Sequence, residues 1–178
     1  MNIRTRFFAP LLAILALGSV AVPATAALPE GTRAPAFTTT GALAGQTFAF
    51  DLATELRKGP VVIYFFPRAF TQGCTLEANA FAEAMDDFRA SGAQVIGLSA
   101  DDIPTLQRFS REECRDAFPV GRASPGIIEQ YDVAFGNGLS NRTSYVIAPD
   151  GRIVMVHSDL DWREHVSRTL AAVRALSN

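Results

Sequence analysis

The sequence predicts an α/β sandwich, a mixed central sheet flanked by helices with an N-terminal β-hairpin, and three observations carry that prediction. Val61 to Phe66 is an unbroken run of mostly β-branched and aromatic residues closed by Pro67, as expected of a strand buried on both faces. From Thr75 to Arg89 the apolar residues Leu76, Ala80, Ala84 and Phe88 recur every four positions, with Phe81 and Met85 beside them, which is the period of an amphipathic helix. Strand-like and helix-like stretches then alternate to the end of the chain.

In chain order, Phe37 to Thr40 and Gln46 to Leu52 flank a glycine-containing turn and read as the strands of the hairpin. Pro67 ends the buried strand because proline has no N–H for the ladder. The helix that follows stops at Ser91 and Gly92. Gln94 to Ala100 is the next strand, and Asp101 or Asp102 caps a helix that runs through Leu106 and Phe109 toward Cys114. Phe118 to Val120 reads as a short strand and Ile127 to Tyr131 as part of a helix. Thr143 to Ala148 and Arg152 to His157, joined by Pro149, Asp150 and Gly151, form an antiparallel pair. A last helix runs from Trp162 to Leu176 behind the caps Asp159 or Asp161, with Val166, Leu170, Val173 and Leu176 on one face.

Composition removes whole classes of function. With 178 residues, 48% apolar and 19% charged, the chain suits one well-packed domain, not disorder or a coiled coil. A net charge of -2 argues against nucleic acid as a partner. Two His and two Cys are too few for the usual tetrahedral metal site.

Residues 1–26 read as a signal peptide. Arg4 and Arg6 precede an apolar stretch from Phe7 to Val22, shorter than the roughly 20 residues that span a bilayer, and Pro23, Ala24, Thr25, Ala26 supply a small-x-small cleavage site. Residues 27–178 are then a single domain, expected in an exported compartment, most simply a periplasm, with no membrane contact after cleavage. Both cysteines, Cys74 and Cys114, lie in it, where a disulfide can persist.

The chemistry gathers where the buried strand meets the first long helix. The stretch from Pro67 to Cys74 sets a thiol at the start of that helix, whose unsatisfied N–H groups favour thiolate over thiol. Thr71 is near enough to donate a hydroxyl hydrogen bond to the sulfur or its target, and also suits a helix cap. Glu77, one turn on, can orient a cation without touching the sulfur. Taken alone, Cys74 could equally be a small buried hydrophobe. His157 and His165 read as ordinary surface or strand-end residues.

Pro67, Thr71 and Cys74 match the P-x-x-x-T-x-x-C motif of peroxiredoxins, and Glu77 fits the acidic position after it. Gly31-Thr-Arg-Ala-Pro-Ala-Phe37 resembles the family's opening segment, Ile63 to Pro67 and Val95 to Asp101 its central strands, and Asn141 to Ile147 with Asp150 to Ile153 the late strand that supplies its arginine. The chain is most similar to the bacterioferritin comigratory protein type. That resemblance implies a thioredoxin-like fold and a thiol peroxidase acting on hydrogen peroxide and organic hydroperoxides, with no cofactor and no metal. It implies Cys74 as the attacking thiolate that becomes a sulfenic acid, and Arg142 as the cation over the site. Thr71 would hydrogen-bond peroxide and sulfur, Pro67 shield the sulfur, and Glu77 hold Arg142. A thioredoxin-like dithiol protein is the implied electron donor, and a monomer the implied state.

The sequence departs from the commonest pattern at Asn79, where many members carry the resolving cysteine. Cys114 is then the candidate resolving residue, forming an intrachain disulfide after local unwinding. Arg111 and Arg115 flank it and could favour its thiolate, although charged neighbours on a helix are more often a solvated face. A one-cysteine cycle with external thiol stays open. Three rivals remain. An exported disulfide oxidoreductase needs Cys-x-x-Cys, but Thr71 holds that position. A non-catalytic module would carry a structural Cys74–Cys114 bond contributing about 3 to 4 kcal/mol. A copper-handling protein would need two nearby thiols and a His.

Overall fold

The computed structural model describes residues 27–177; the expected signal segment, residues 1–26, lies outside the described residues. The hairpin strands are β1 (Thr38–Leu43) and β2 (Gln46–Asp51), followed by a short helix α1 (Leu52–Leu56). Next come β3 (Val61–Phe65), α2 (Gln72–Glu83), α3 (Met85–Ala90), β4 (Gln94–Ser99) and α4 (Ile103–Glu112). The chain closes with β5 (Val120–Arg122), α5 (Pro125–Gln130), β6 (Thr143–Ile147), β7 (Ile153–Ser158), a 3₁₀ turn (Trp162–Glu164) and α6 (His165–Leu176).

The strands make one mixed sheet in the order β2-β1-β5-β4-β3-β6-β7. Parallel pairing of β3, β4 and β5 forms its middle, with antiparallel β6 and β7 on one side and the hairpin on the other. The continuous apolar run of β3 is explained by its central place. Alternate side chains point to opposite faces, so Val62, Tyr64 and Phe66 pack with Phe81, Phe88 and Leu106 on one side, while Val61, Ile63 and Phe65 pack with Leu52, Tyr131 and Tyr145 on the other. Fully burying each such aliphatic or aromatic side chain contributes roughly 1.5–3 kcal/mol.

The single helix expected over 75–89 is two. Ala84, at φ -90° and ψ 0°, ends α2, and its N–H is shared between the carbonyls of Ala80 and Phe81. The apolar period continues across the break into Met85 and Phe88, which is why the sequence reads as one element. The helix also starts earlier than expected, at Gln72. Helix α1, which the sequence reading missed, is one turn long and rests on its cap: Asp51 Oδ1 accepts from the Thr54 N–H at 2.7 Å. Strand β5 lies two residues later than expected, with Phe118 turned into the core. Of the two candidate caps for α4, Asp102 serves, accepting from Thr105 N at 2.9 Å.

Candidate active site

The end of β3 and the start of α2 set the thiol. Pro67 is half-buried as the chain leaves the sheet, and the loop to Thr71 is fixed by Asp101, whose Oδ2 accepts from the Ala69 N–H at 2.7 Å and from Ser99 Oγ at 2.8 Å. Phe70 turns the chain with φ +61°, its ring edge-on to Phe109. Cys74 is then the third residue of α2, so its sulfur sits in the first turn, where the helix N–H groups are unsatisfied.

Arg142, directly before β6, spans the site with three separate bonds. Its Nη2 is 3.5 Å from Cys74 Sγ, its Nη1 donates to Glu77 Oε2, and its Nε donates to Leu160 O at 2.9 Å. A guanidinium presents its donors in a fixed fork, so anchoring two of them aims the third. Gly73 makes room: a Cβ there would lie 3.1 Å from Nη2. Cys74, Glu77 and Arg142 are all buried. Burial pushes the Glu77 carboxyl up to about 8, while Arg142 pulls the other way. Burial works to lower Arg142 as well, but Glu77 and Cys74 outweigh it and hold the guanidinium above its ordinary value. We take Glu77 as carboxylate, because a side chain that cannot lose its proton donates directly to Oε2.

The structure thus brings together Cys74, Glu77 and Arg142, which the family resemblance names. Thr71 differs. It occupies the cap position of α2, but its side chain makes no capping bond, and its hydroxyl donates to Arg68 O at 2.9 Å instead of to the sulfur. Cys114 differs too: α4 ends at Glu112, and the thiol lies buried in the following turn, just before the left-handed residues Arg115 (φ +52°) and Asp116 (φ +57°). Burial pushes the Cys114 thiol well up, with Glu113 and Asp116 adding to it, which reverses the expectation that Arg111 and Arg115 favour its thiolate. Arg115 is engaged elsewhere, on Glu83 at 3.2 Å and on Asn79 Oδ1. Both thiols are free. Asn79 ties that turn to α2, donating through Nδ2 to Thr75 O at 2.7 Å and to Glu113 Oε2 at 3.1 Å.

His165 is the clearest correction to the sequence reading. It is fully buried, not at the surface, with Nδ1 2.7 Å from Ser144 Oγ and 3.7 Å from Glu77 Oε1. It begins α6 behind the 3₁₀ turn, and no local pattern marks it; only its distant partners do. Burial lowers its pKa from 6.5 to about 4. Because the folded value is the lower one, the unfolded chain takes up a proton that the native state refuses, and stability falls as pH drops from about 6.5 toward 4. At about 1.4 kcal/mol per unit the full loss is about 3 kcal/mol. Urea unfolding at pH 7 and pH 4.5 measures this, and His165→Gln is expected to flatten the difference; an unchanged slope in the variant would place the acid lability elsewhere.

A family model described as the AhpC/TSA family matches residues 31–156. Peroxiredoxin Q of the chloroplast of Gentiana triflora is 31% identical over 121 residues, covering 66% of this chain and 55% of that protein, so the chain spans about half of that relative's length. Peroxiredoxin Bcp of Escherichia coli is 29% identical over 119 residues, covering 63% of this chain and 76% of the relative. Among solved structures, peroxidoxin BcpB of Mycobacterium tuberculosis superposes with a TM-score of 0.74 at 28% identity, over 83% of this chain and 97% of that one. The bacterioferritin comigratory protein of Xanthomonas campestris, described for its alkyl peroxide reduction activity, gives 0.67 at 26% identity, over 78% and 92%.

Proposed function

Because the chain belongs to the AhpC/TSA family, and so is a peroxiredoxin, a thiol-dependent peroxidase, we propose that Cys74 is its peroxidatic cysteine and Cys114 its resolving one. The observation that carries the reading is Cys74 Sγ in the first turn of α2, 3.5 Å from a guanidinium that Glu77 and Leu160 hold in place. Helix N-terminus and guanidinium both set positive charge beside the sulfur. The thiolate attacks the terminal oxygen of hydrogen peroxide or an organic hydroperoxide; an S–O bond forms, the O–O bond breaks, and the leaving oxygen departs with a proton as water or alcohol. Arg142 stabilises the negative charge that shifts onto the oxygens. With its own proton committed to Arg68 O, Thr71 Oγ1 is left to accept one from the peroxide. Pro67 shields the sulfur.

The sulfenic acid is then attacked by Cys114; an S–S bond forms and water leaves. Asn79 lies five residues along α2 from Cys74, about 7.5 Å of helix rise, and clamps the residues on either side of Cys114. Asn79 thus links the helix of Cys74 to the turn that carries the second thiol, and that turn must open before the sulfurs meet. Consecutive left-handed residues at Arg115 and Asp116 make opening inexpensive, since such backbone costs roughly 1–2 kcal/mol per residue to hold. A thioredoxin-like dithiol protein would reduce the disulfide by exchange. Export to a periplasm and a monomeric mature chain complete the reading.

Intact mass of the reduced protein, followed after one equivalent of hydrogen peroxide, tests it. The wild type is expected to lose two hydrogens and Cys114→Ser to gain one oxygen. Unchanged masses would defeat the peroxidatic role of Cys74, and a wild type that gains oxygen would remove Cys114 from the cycle. The same spectrum reads the export proposal, because cleavage after Ala26 leaves a chain beginning at Ala27.

A further inference from the structure

Two consecutive carbonyls in the loop after β7 face the site. Leu160 O accepts from Arg142 Nε, and Asp159 O lies 3.0 Å from His165 Nε2. A carbonyl can only accept, so Nε2 carries the proton of His165. Burial keeps the ring neutral near pH 7, so Nδ1 is a lone pair that accepts from the Ser144 hydroxyl 2.7 Å away. The ring is neutral, and both of its nitrogens are in use. The Asp159 N–H also donates to Arg142 O at 3.2 Å, so this loop is strapped onto the arginine at two points.

We propose that neutral His165 is a positioning residue for Cys74: by clamping the Asp159 carbonyl it holds the neighbouring Leu160 carbonyl that aims Arg142 at the sulfur, and by presenting only a lone pair at Nδ1 it leaves Glu77 to the arginine. This rests on Cys74 being the peroxidatic thiol. Glu77 Oε1, the carboxylate oxygen that Arg142 does not use, has no hydrogen-bond partner among the described residues and sits 3.7 Å from Nδ1. A proton on Nδ1 would displace the Ser144 donor and offer Oε1 an N–H, drawing the carboxylate away from the guanidinium.

Burial and the positive groups around the ring oppose that proton, against the pull of the acidic ones. Arg142 faces it from the segment before β6, and His157 faces it from β7 with ring centroids 4.5 Å apart. Glu77 from α2 and Asp159 from the loop are the acidic neighbours. Glu164 of the 3₁₀ turn and Arg168 of α6 pair with each other and bear on His157. An apolar side chain at position 165 would fit the interior but leave the Ser144 hydroxyl and the Asp159 carbonyl without their partner, and the strap without its clamp.

The test compares His165→Leu, which removes both bonds, with His165→Gln, whose amide can still donate to Asp159 O but does not titrate. Alkylation of the Cys74 peptide by iodoacetamide is followed by mass spectrometry from pH 4.5 to 9, beside the rate with hydrogen peroxide and the thermal midpoint. The leucine variant is expected to lower the rate of Cys74 alkylation about tenfold on the rising part of the pH profile, and to slow the peroxide reaction about tenfold. The glutamine variant restores both to within about threefold, since small errors in aiming a catalytic group are what cost rate. Variants that melt lower while Cys74 titrates as in the wild type would overturn the proposal and leave His165 a packing residue. So would a glutamine variant as impaired as leucine. If the variants change Cys74 alkylation as expected but the wild type ignores peroxide, the peroxidatic reading is refuted and the positioning role stands.

Discussion

Cys74→Ser is expected to bring peroxide consumption down to the uncatalysed background, a fall of at least about a thousandfold, while the protein still folds. Nucleophilic catalysis here depends on a thiolate, and a serine hydroxyl in the same place neither ionises near neutral pH nor accepts the oxygen. The other thiol offers no substitute. Cys114 is buried, and burial together with Glu113 and Asp116 pushes its ionisation well up. The exchange of sulfur for oxygen is small in volume, and the Arg142 donors to Glu77 and Leu160 remain. Stopped-flow measurement of peroxide loss, with circular dichroism as the check on folding, decides it. Activity above about one part in a hundred in a folded variant would mean that the sulfur of Cys74 is not the atom that meets the peroxide.

What could be read in advance is what is encoded locally. The thiol, Thr71 and Glu77 fall within seven residues at a strand-to-helix junction, where the helix dipole alone argues for a reactive group. Arg142 is one of 15 arginines and has no local mark; it was legible only through likeness to a family, and its reach to Cys74 spans 68 residues. His165, Ser144 and the two loop carbonyls were beyond reach for the same reason in stronger form. Their roles lie in contacts between α6, β6 and the loop after β7, and a buried histidine at the head of a helix looks in sequence like any exposed one. Asp101 read as a helix cap because a cap needs only neighbours, whereas its work on the Ala69 N–H joins segments 32 residues apart. In the fold, the long-period patterns survived and the breaks did not: apolar spacing passes straight over Ala84, and α1, with five residues, is too short to repeat an apolar position more than once.

Arg142→Met and Glu77→Gln are expected to separate stability from catalysis at the same ion pair. Arg142→Met leaves a buried carboxylate with no counter-charge, a change that typically costs 3–5 kcal/mol, and it also removes the donor facing Cys74 Sγ. Losing a preorganised donor of this kind lowers rate by about a hundredfold to a thousandfold. Glu77→Gln keeps the shape and an oxygen for Nη1, so the guanidinium loses its charged brace but not its place, and the expected cost is about 1–3 kcal/mol with a smaller loss of rate. The double variant is the informative one. With both charges gone, nothing charged is left unpaired in the interior, so its stability should lie above that of Arg142→Met alone, while its peroxide rate should stay as low, because catalysis follows the arginine and not the pair. Urea unfolding and peroxide kinetics on the four proteins close the cycle. If the double variant recovers rate along with stability, Arg142 acts only by holding the fold, and the charge over Cys74 must come from the helix alone.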